Sequence, residues 1–554
     1  MSRTVCCCLP AFLLGCLTLS GADPAVVPQG AMQAITPEGI LQHIKVLASN
    51  EYEGRAPGTA GEKKSLEYLV AQCRAMKLAP GNPDGTFLQR VPMWGISSSG
   101  EIAVQVGGKS FALQAGDEYR VISTQPKAEV EVAAAPVVFV GYGVVAPEYQ
   151  WDDYKGVDVK GKVVMLLGGD PPVPDPKDPT KLDPNVFLGP ELSYYGRPGT
   201  KADVAWSKGA VAVVTLFTPR GMYPTFASMA RFLPRESMIL RDRYSTQRIA
   251  ATVTLTTEKG TQLLASAGQE LAALRKSALS REFKPVALGA TMAIHARNQV
   301  REIDSANVVA KIAGSDAKLR HQYVVYSGHW DHLGRQDDNI FHGASDNASG
   351  AAGVLELARA FTKLPAAPKR TVVFLWTTAE EKGLLGAKHY VEHPLYPLAA
   401  TAANLNLDYF SNWGWGKTKD ISILGIGMSS LDDLVKDAAA RQGRVVTGDT
   451  APEEGFYWRS DHLEFAMGGV PSLATSPGIE FVGKAEGYGA QKRQEYIRND
   501  YHKPADQVKA DWDLTGAVED LQVLLETGYR VAQEAARPVW RKRGPYLHNA
   551  RAGK

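Results

Sequence analysis

From about residue 300 onward, strand-like and helix-like segments alternate along the chain. Runs of β-branched and apolar residues predict the strands, and amphipathic runs of helical period predict the helices. This alternation is typical of an α/β fold in which helices cover a central sheet. The predicted strands are Asn307–Ile312, Tyr323–Ser327, Thr371–Thr377 and Ile421–Ile426, and the predicted helices are Gly350–Lys363, Gly383–Tyr390, Leu431–Arg441 and Leu514–Ala535.

Residues that follow strands are the first candidates for function, because ligands of such sheets bind beyond the carboxyl ends of the strands. Metal-binding types of side chain recur at these positions. They are His329 after Tyr323–Ser327, Asp346 before the helix that starts at Gly350, Glu380 and Glu381 after Thr371–Thr377, Asp408 after a short strand at Asn404–Leu407, and His502 before the last helix. Each one alone has an ordinary structural explanation, such as helix capping by Asp346. Their joint occurrence at strand and loop ends favours a metal site.

The chemistry of this set fits two divalent metal ions. Two histidines and three carboxylates suit zinc, and a carboxylate such as Asp346 can bridge two ions. Asp331 can accept the second ring N–H of His329 and so fix its tautomer. Within the Glu380-Glu381 pair, one residue can bind metal while the other takes a proton from water. Two ions can hold one hydroxide and polarise a carbonyl.

The N-terminus predicts export. Arg3 is the one charged residue before Asp23, and the apolar run Val5–Leu19 leads to the small residues Ser20-Gly21-Ala22, a cleavage signal. The run is shorter than the roughly 20 apolar residues of a membrane-spanning helix. We therefore expect a periplasmic or secreted protein. The sequence before Cys16 resembles a lipobox, so lipid attachment at Cys16 stays open as an alternative.

Composition narrows the class of protein. The formal net charge of +2 over 554 residues gives no reason to expect a nucleic-acid partner, and peptides or small molecules remain as substrates. Four of the five cysteines lie in the predicted signal, which leaves Cys73. Cys73 lies in a helical pattern and is expected to be a small core residue rather than a nucleophile.

Six motifs of this chain resemble those of the co-catalytic di-zinc aminopeptidases, whose clan also contains glutamate carboxypeptidases and transferrin receptors. The motifs occur in family order. They are Ser327–His332, Ser345–Gly350, Ala379–Gly386, Asn406–Asp408, Ser460–His462 and Tyr501–Asp506. Gly54–Thr59 extends the resemblance toward the N-terminus. Residues 116–290, with Gly141-Tyr-Gly-Val144, resemble a protease-associated domain.

The resemblance implies a domain organisation and a fold. The fold is a mixed central sheet flanked by helices, with an inserted β-rich domain. The implied parts are a signal peptide at 1–22, the N-terminal part of the catalytic domain at 31–115, the protease-associated insert at 116–290, the main catalytic domain at 291–536 and a basic tail at 537–554.

The resemblance also implies roles for individual residues. Asp346 bridges the two zinc ions, His329 and Asp408 complete one site, and Glu381 and His502 complete the other. Glu380 is the general base and then the acid that protonates the leaving amine. Tyr457 stands where some relatives place a tyrosine that stabilises the oxyanion, with a packed aromatic as the alternative. A cis peptide is expected at Asp346–Asn347. The neighbouring His332 and His462 receive no ligand role.

The function implied is that of an exported di-zinc exopeptidase that removes N-terminal residues from peptides through a metal-bridging hydroxide. A carboxypeptidase of the glutamate carboxypeptidase type is the alternative, and it requires arginines such as Arg459 or Arg498 to converge on the substrate carboxylate. A non-catalytic ectodomain like the transferrin receptors predicts lost ligands, and no ligand is lost here. A glutaminyl cyclase is disfavoured by the insert and by the complete ligand set.

Overall fold

The structure, a computed structural model, describes residues 25–219, 223–232, 236–242, 249–408 and 413–541. The predicted signal peptide with Cys16, and residues 542–554 of the predicted tail, lie outside this range. The strands are β1 Ala79–Pro80, β2 Leu88–Val106, β3 Lys109–Phe111, β4 Tyr119–Ile122, β5 Glu129–Phe139, β6 Val145–Ala146, β7 Trp151–Asp152, β8 Val163–Leu167, β9 Ala212–Leu216, β10 Ser237–Leu240, β11 Ala251–Leu255, β12 Val286–Ile312, β13 Tyr323–His329, β14 Gly334–Gln336, β15 Asn339–Phe341, β16 Thr371–Thr377, β17 Thr401–Asn406, β18 Asp420–Leu424, β19 Val445–Thr447 and β20 Ser472–Pro477.

Helices lie between the strands and at both ends of the described chain. They are α1 Gln29–Met32, α2 Pro37–Leu47, α3 Ala60–Ala75, α4 Pro198–Ser207, α5 Phe226–Phe232, α6 Thr257–Ser266, α7 Leu271–Ser277, α8 Ser349–Thr362, α9 Leu385–Glu392, α10 Leu431–Arg441, α11 His462–Met467, α12 Tyr488–Asn499 and α13 Thr515–Gln533. The Thr36 side chain caps α2 by accepting a hydrogen bond from the Gly39 N–H at 3.1 Å, and Pro37 occupies the first helical turn. Both features follow from the local sequence.

The predicted fold class is confirmed, since one large mixed sheet forms the centre of the molecule. Its main path runs β19-β18-β20-β17-β13-β16-β12-β5-β8-β9-β11-β4. Strands β17, β13 and β16 are parallel neighbours, and β12 runs antiparallel to β16. The largest apolar core lies where α2, α3, α8 and α13 pack on these strands. Cys73 of α3 is buried in that core, and burial raises the pKa of its thiol to about 12, as expected for a packing residue.

The alternating pattern of residues 87–115 predicts short strands, but residues 88–106 form one long strand. Strand β2 has 19 residues and pairs antiparallel with β12, which has 27. The prediction of short strands was wrong because long-range pairing decides strand length, and Gly95 and Gly100 do not interrupt it.

The segment predicted as an insert, 116–290, has an apolar core of its own. Strands β5, β8, β9 and β11 lie side by side, with parallel pairs from β5 to β11, and their side chains pack with those of α6 and α7. These strands are continuous with the main sheet, because β5 pairs with the first half of β12. The assignment of this segment to the protease-associated type stays a prediction. Within the described residues, no helix combines the length and apolar character that crossing a bilayer requires.

Candidate metal centre

Three parallel strands deliver the candidate residues to one edge of the sheet. Strand β13 ends at His329, which is in register with Thr377 at the end of β16. Glu380 lies three residues beyond Thr377. Strand β17 pairs with β13 on the other side, and Asp408 lies two residues beyond its end. Adjacent parallel strands end at the same edge, so their following residues converge.

The Asp346 carboxylate lies between the two histidines. Its Oδ1 is 3.5 Å from Nε2 of His329, and its Oδ2 is 3.0 Å from Nε2 of His502. Asp346 sits in the short irregular turn Ala344–Ala348 that leads into α8, and its peptide bond to Asn347 is cis, as the resemblance implies. One carboxylate oxygen therefore faces each half of the site.

The remaining candidates divide between the two oxygens of Asp346. On the first side, Oδ1 of Asp408 is 3.7 Å from Nε2 of His329. On the second side, Oε2 of Glu381 is 3.1 Å from Nε2 of His502. The structure thus brings together all five residues that the sequence singled out as ligands.

His332 also reaches this site, although no ligand role is predicted for it from the sequence. Its Nδ1 lies 2.7 Å from Oε1 of Glu381, the oxygen that faces away from His502. His332, Asp346 and Glu381 could also share an ion, since their ligand atoms lie within 4.8 Å of one another. His502 is the better candidate ligand on this side, because its Nε2 approaches both carboxylates to about 3 Å, whereas His332 is hydrogen-bonded to Glu381 and can orient it.

The tautomer of His329 is set differently from the prediction. Its Nδ1 lies 3.1 Å from the backbone carbonyl oxygen of Asp331, whereas the Asp331 carboxylate is 3.6 Å away, beyond a hydrogen bond. The carboxylate instead accepts the backbone N–H of Glu380 at 3.0 Å. Asp331 therefore holds both His329 and the turn that carries Glu380, because its carbonyl and its carboxylate point to different partners.

A chain of buried polar side chains supports Asp408. Asn404 donates to Ser327 Oγ at 2.8 Å, Ser327 donates to Asn406 Oδ1 at 2.7 Å, and Asn406 donates to Ser460 Oγ at 2.8 Å. Ser460 then donates to Oδ2 of Asp408, while Oδ1 of Asp408 faces His329. This contact accounts for the serine of the Ser460-Asp461-His462 motif, which orients the candidate ligand Asp408.

Arg55 is a residue whose importance sequence reasoning missed, although it lies in the glycine-rich motif at 54–59. It has no exposed surface, and its guanidinium donates to four carbonyl groups. The acceptors are the carbonyl oxygens of Leu47 at 2.7 Å, Trp330 at 2.8 Å, His342 at 2.6 Å and Gly343 at 3.0 Å. Burial lowers the pKa of Arg55 to about 10, against the attraction of Asp331, so it stays charged.

Asp506 holds the turn of Asp346 from the other side. Its carboxylate accepts the backbone N–H of Ser345 at 3.0 Å and that of Asp346 at 3.1 Å. The sequence motif Tyr501–Asp506 therefore contributes two residues with different roles. His502 faces the site, and Asp506 fixes the loop that bears Asp346. Only the tertiary contact reveals the second role.

The site carries an excess of buried negative charge. Burial raises the pKa of Glu380 well above its usual value, opposed by His329 and reinforced by the charges of Asp408 and Glu381. Burial also raises the pKa of Asp461 to about 7. In His329, burial alone would lower the pKa, but the surrounding carboxylates raise it well above normal. An arrangement of this kind calls for bound cations.

The donor set fits metal ions by geometry as well as by charge. Nε2 of His329 is buried and has no hydrogen-bond partner among the described residues. It faces Asp346 and Asp408 at 3.5 and 3.7 Å, too far for hydrogen bonds. Two ligand atoms that share one tetrahedral zinc lie about 3.3 Å apart, given metal–ligand distances of about 2.0–2.1 Å. His329, Asp346 and Asp408 are therefore spaced as ligands of one ion.

Tyr457 lies in an aromatic cluster. Its ring contacts Trp458 and His462 edge-on, each with ring centres 4.9 Å apart, and its side chain is buried. Burial lowers the pKa of His462 to about 3, so that imidazole is neutral. These contacts are those of the packed aromatic that was the alternative for Tyr457, and its role at the oxyanion stays a prediction.

Comparison with known proteins shows what the part of the chain that holds the site is similar to. Residues 307–525 match the sequence model of Peptidase family M28. That segment contains strands β13, β16 and β17 and every candidate ligand. This part of the chain is therefore similar to the peptidases of family M28.

Individual relatives extend the similarity beyond this domain. Aminopeptidase YwaD from Bacillus subtilis is 23% identical over 458 residues, 82% of this chain and 76% of the relative. Leupeptin-inactivating enzyme 1 from Streptomyces exfoliatus is 30% identical over 177 residues, 30% of this chain and 38% of its own length. The solved aminopeptidase from Aneurinibacillus sp. strain AM-1 superposes with a TM-score of 0.52 at 19% identity, covering 93% of this chain and 98% of that one, and so shares the fold.

Proposed function

We propose that this protein is an exported di-zinc aminopeptidase that removes N-terminal residues from peptides. The observation that carries the proposal is the position of Asp346, whose two carboxylate oxygens face His329 and His502 at 3.5 and 3.0 Å. A carboxylate in that position suits a pair of ions rather than one. The preference for cleavage at the N-terminus of the substrate is supported by the relative named an aminopeptidase, which aligns with 82% of this chain.

The proposed ligands fall into two groups that share Asp346. His329 and Asp408 would hold one zinc ion, and Glu381 and His502 would hold the other. When bound, the two ions would polarise the scissile carbonyl and make a water molecule more acidic. Asp331, Ser460 and His332 would keep His329, Asp408 and Glu381 in the orientations that binding requires.

Glu380 would move the proton in this reaction. Its carboxylate lies 3.8 Å from Nε2 of His329, so it borders the space between the proposed ligands without contacting the imidazole. The bond from its backbone N–H to Asp331 fixes the start of its turn. From that position Glu380 would accept a proton from the attacking water and return it to the leaving amine.

A carboxypeptidase remains the second candidate because a cation lies near the proposed site. The Arg459 guanidinium packs over the Phe456 ring, 5.7 Å from its centre. Burial raises the pKa of Tyr501, and the charge of Arg459 opposes this rise. Tyr501 in turn stacks on His502 with ring centres 4.0 Å apart. An arginine there could attract a substrate carboxylate, whereas an aminopeptidase recognises an amine.

The proposal is tested by substrate and metal dependence together. The protein starting at Asp23 is assayed on aminoacyl anilides and on N-blocked peptides with a free carboxylate, before and after treatment with a chelator. We expect cleavage of substrates with a free N-terminus, loss of that activity with the chelator and recovery with zinc. Cleavage of N-blocked peptides alone would establish the carboxypeptidase instead. Full activity after complete metal removal would refute both.

Export is proposed on the N-terminal pattern and is tested separately. Expression of the full chain in a Gram-negative host followed by mass spectrometry of the mature N-terminus should give Asp23 in the periplasmic fraction. A lipid-modified Cys16 would support the alternative processing, and an unprocessed cytoplasmic chain would contradict export.

A further inference from the structure

A second cluster of metal-binding side chains lies away from the site described above. It joins helix α9 to the residues after strand β10. His389 and His393 are four residues apart on α9 and at its end, so they lie on one face. Asp242 follows β10 at the second position. Ligand atoms of Asp242, His389 and His393 all lie within 4.8 Å of one another.

The side chain of His389 points into this cluster without a hydrogen bond there. It is 8% exposed, and its buried Nδ1 has no hydrogen-bond partner among the described residues. That atom faces Oδ2 of Asp242 at 3.9 Å. A buried nitrogen without a partner is costly. An ion between the nitrogen and the carboxylate would satisfy it.

The other two members are accessible and can adjust their positions. His393 and Asp242 side chains are 53% and 34% exposed, and Nε2 of His393 lies 2.5 Å from Oδ2 of Asp242. Ligands of one tetrahedral zinc lie about 3.3 Å apart. The distance from His389 to Asp242 is longer than that spacing, and the distance from His393 to Asp242 is shorter. A rotation of the exposed side chains of Asp242 and His393 would bring both distances to the spacing of zinc ligands.

The surrounding charges leave the Asp242 carboxylate available. Its neighbour Arg241 donates instead to Glu302 at 2.6 Å and pairs also with Asp304. Burial and the neighbouring His393 lower the pKa of His389, and the Asp242 carboxylate and the Arg90 backbone partly offset this lowering. Two imidazoles and one carboxylate are ligands that select zinc over calcium or magnesium.

We propose that Asp242, His389 and His393 form a further zinc site, separate from the candidate metal centre, that ties β10 to α9. Both elements contribute to one small apolar core, through Met238 and Leu240 on β10 and Leu385 on α9. Ala379, which precedes the Glu380-Glu381 pair, packs in the same core. The ion would therefore stabilise the small apolar core that carries the Glu380-Glu381 pair, without contacting the substrate.

The test counts zinc in variants that differ outside the candidate metal centre. Asp242→Asn and His393→Gln are compared with the unmodified protein after equilibration in buffered zinc, with bound metal measured by mass spectrometry. His321→Gln, which changes an exposed histidine outside the cluster, is the matched control. We expect each cluster variant to bind about one zinc ion fewer per chain, and the control to bind as much as the unmodified protein.

Thermal unfolding and peptidase activity give independent readouts. Added zinc should raise the Tm of the unmodified protein more than that of Asp242→Asn, while peptidase turnover stays the same. Equal zinc contents in all four proteins would overturn the proposal. So would a loss of zinc that is accompanied by a matching loss of turnover, since the missing ion would then belong to the other site. The zinc content of the variants tests this site whether or not the protein cleaves peptides.

Discussion

At the scale of single residues, two adjacent glutamates occupy opposite electrostatic environments. Burial raises the pKa of Glu380, and the charges of Asp408, Glu381 and Asp461 raise it further against the opposing charge of His329. Glu381 is equally buried, but His502 and His332 lower its pKa below the usual range. A pair of acids whose surroundings separate their pKa values is the pattern expected when one transfers protons and the other stays ionised.

This difference predicts opposite phenotypes for the same substitution. Glu380→Gln should retain zinc but lose turnover by about 10²–10⁴-fold, because an amide cannot accept the proton. Glu381→Gln, the matched control, should lose zinc as well as turnover, because a proposed ligand is removed. Metal analysis and kcat on the same preparations check both. Full turnover in Glu380→Gln would remove that residue from the mechanism.

At the scale of elements, the loop around Arg55 connects the N-terminal helices to the loops that flank the site. Arg55 lies between α2 and α3, and its guanidinium holds the carbonyl of Leu47 at the end of α2 together with those of Trp330 and Gly343. Gly343 immediately precedes the turn of Asp346. A single buried cation thus ties the end of α2 to two loops that lie more than 270 positions away in sequence, because buried carbonyl groups need donors.

Arg55→Lys should therefore destabilise the site as well as the fold. Lysine offers three donors on one nitrogen and cannot match four separated acceptors, and each buried carbonyl left without a donor costs about 1–3 kcal/mol. We expect a Tm lower by several degrees and a weaker zinc affinity. Arg297→Lys, at a side chain that is 59% exposed, should change neither. Differential scanning calorimetry and zinc titration measure the two effects, and an unchanged Tm in Arg55→Lys would contradict the argument.

At the scale of the whole molecule, strand β12 belongs to two cores. Its residues Met292 and Ile294 pack in the core of the segment 116–290, whereas Val308 and Ala310 pack in the core beneath α8. Strand β2 pairs with β12 from Ala290 to Val308, along the whole stretch that joins the two cores. Unfolding of either half would therefore disrupt a ladder that the other half uses.

We accordingly expect a single cooperative thermal transition. The two halves share β12 and β2, so calorimetry should give one endotherm, and fluorescence and far-ultraviolet circular dichroism should give the same midpoint. Ala296→Pro should lower that midpoint for the whole molecule, because it removes an N–H in a strand that is paired on both sides, with Gly100 and Val130. Two resolved transitions would show that the segment 116–290 unfolds by itself.

The amino-acid sequence by itself determined the fold class and the residues of the site. Strand–helix alternation and side chains of metal-binding type after strands or before helices are local patterns, and they identified as candidates His329, Asp346, Glu380, Glu381, Asp408 and His502, which lie together at one edge of the sheet. Parallel neighbours end together, so position along the chain was enough to predict that His329, Glu380 and Asp408 lie close in space.

Only the tertiary structure decided how these residues are held. The sequence could not reveal that Arg55 supports the loops, that Asp506 fixes the Asp346 turn, that the Asp331 carbonyl rather than its carboxylate contacts His329, or that His332 reaches Glu381. The length of β2 and β12 also depended on pairing between distant segments. Apart from the contact between Asp331 and His329, these contacts join residues separated by tens to hundreds of positions. No local periodicity records them, because they arise when packed elements bring polar groups out of water and into one another's reach.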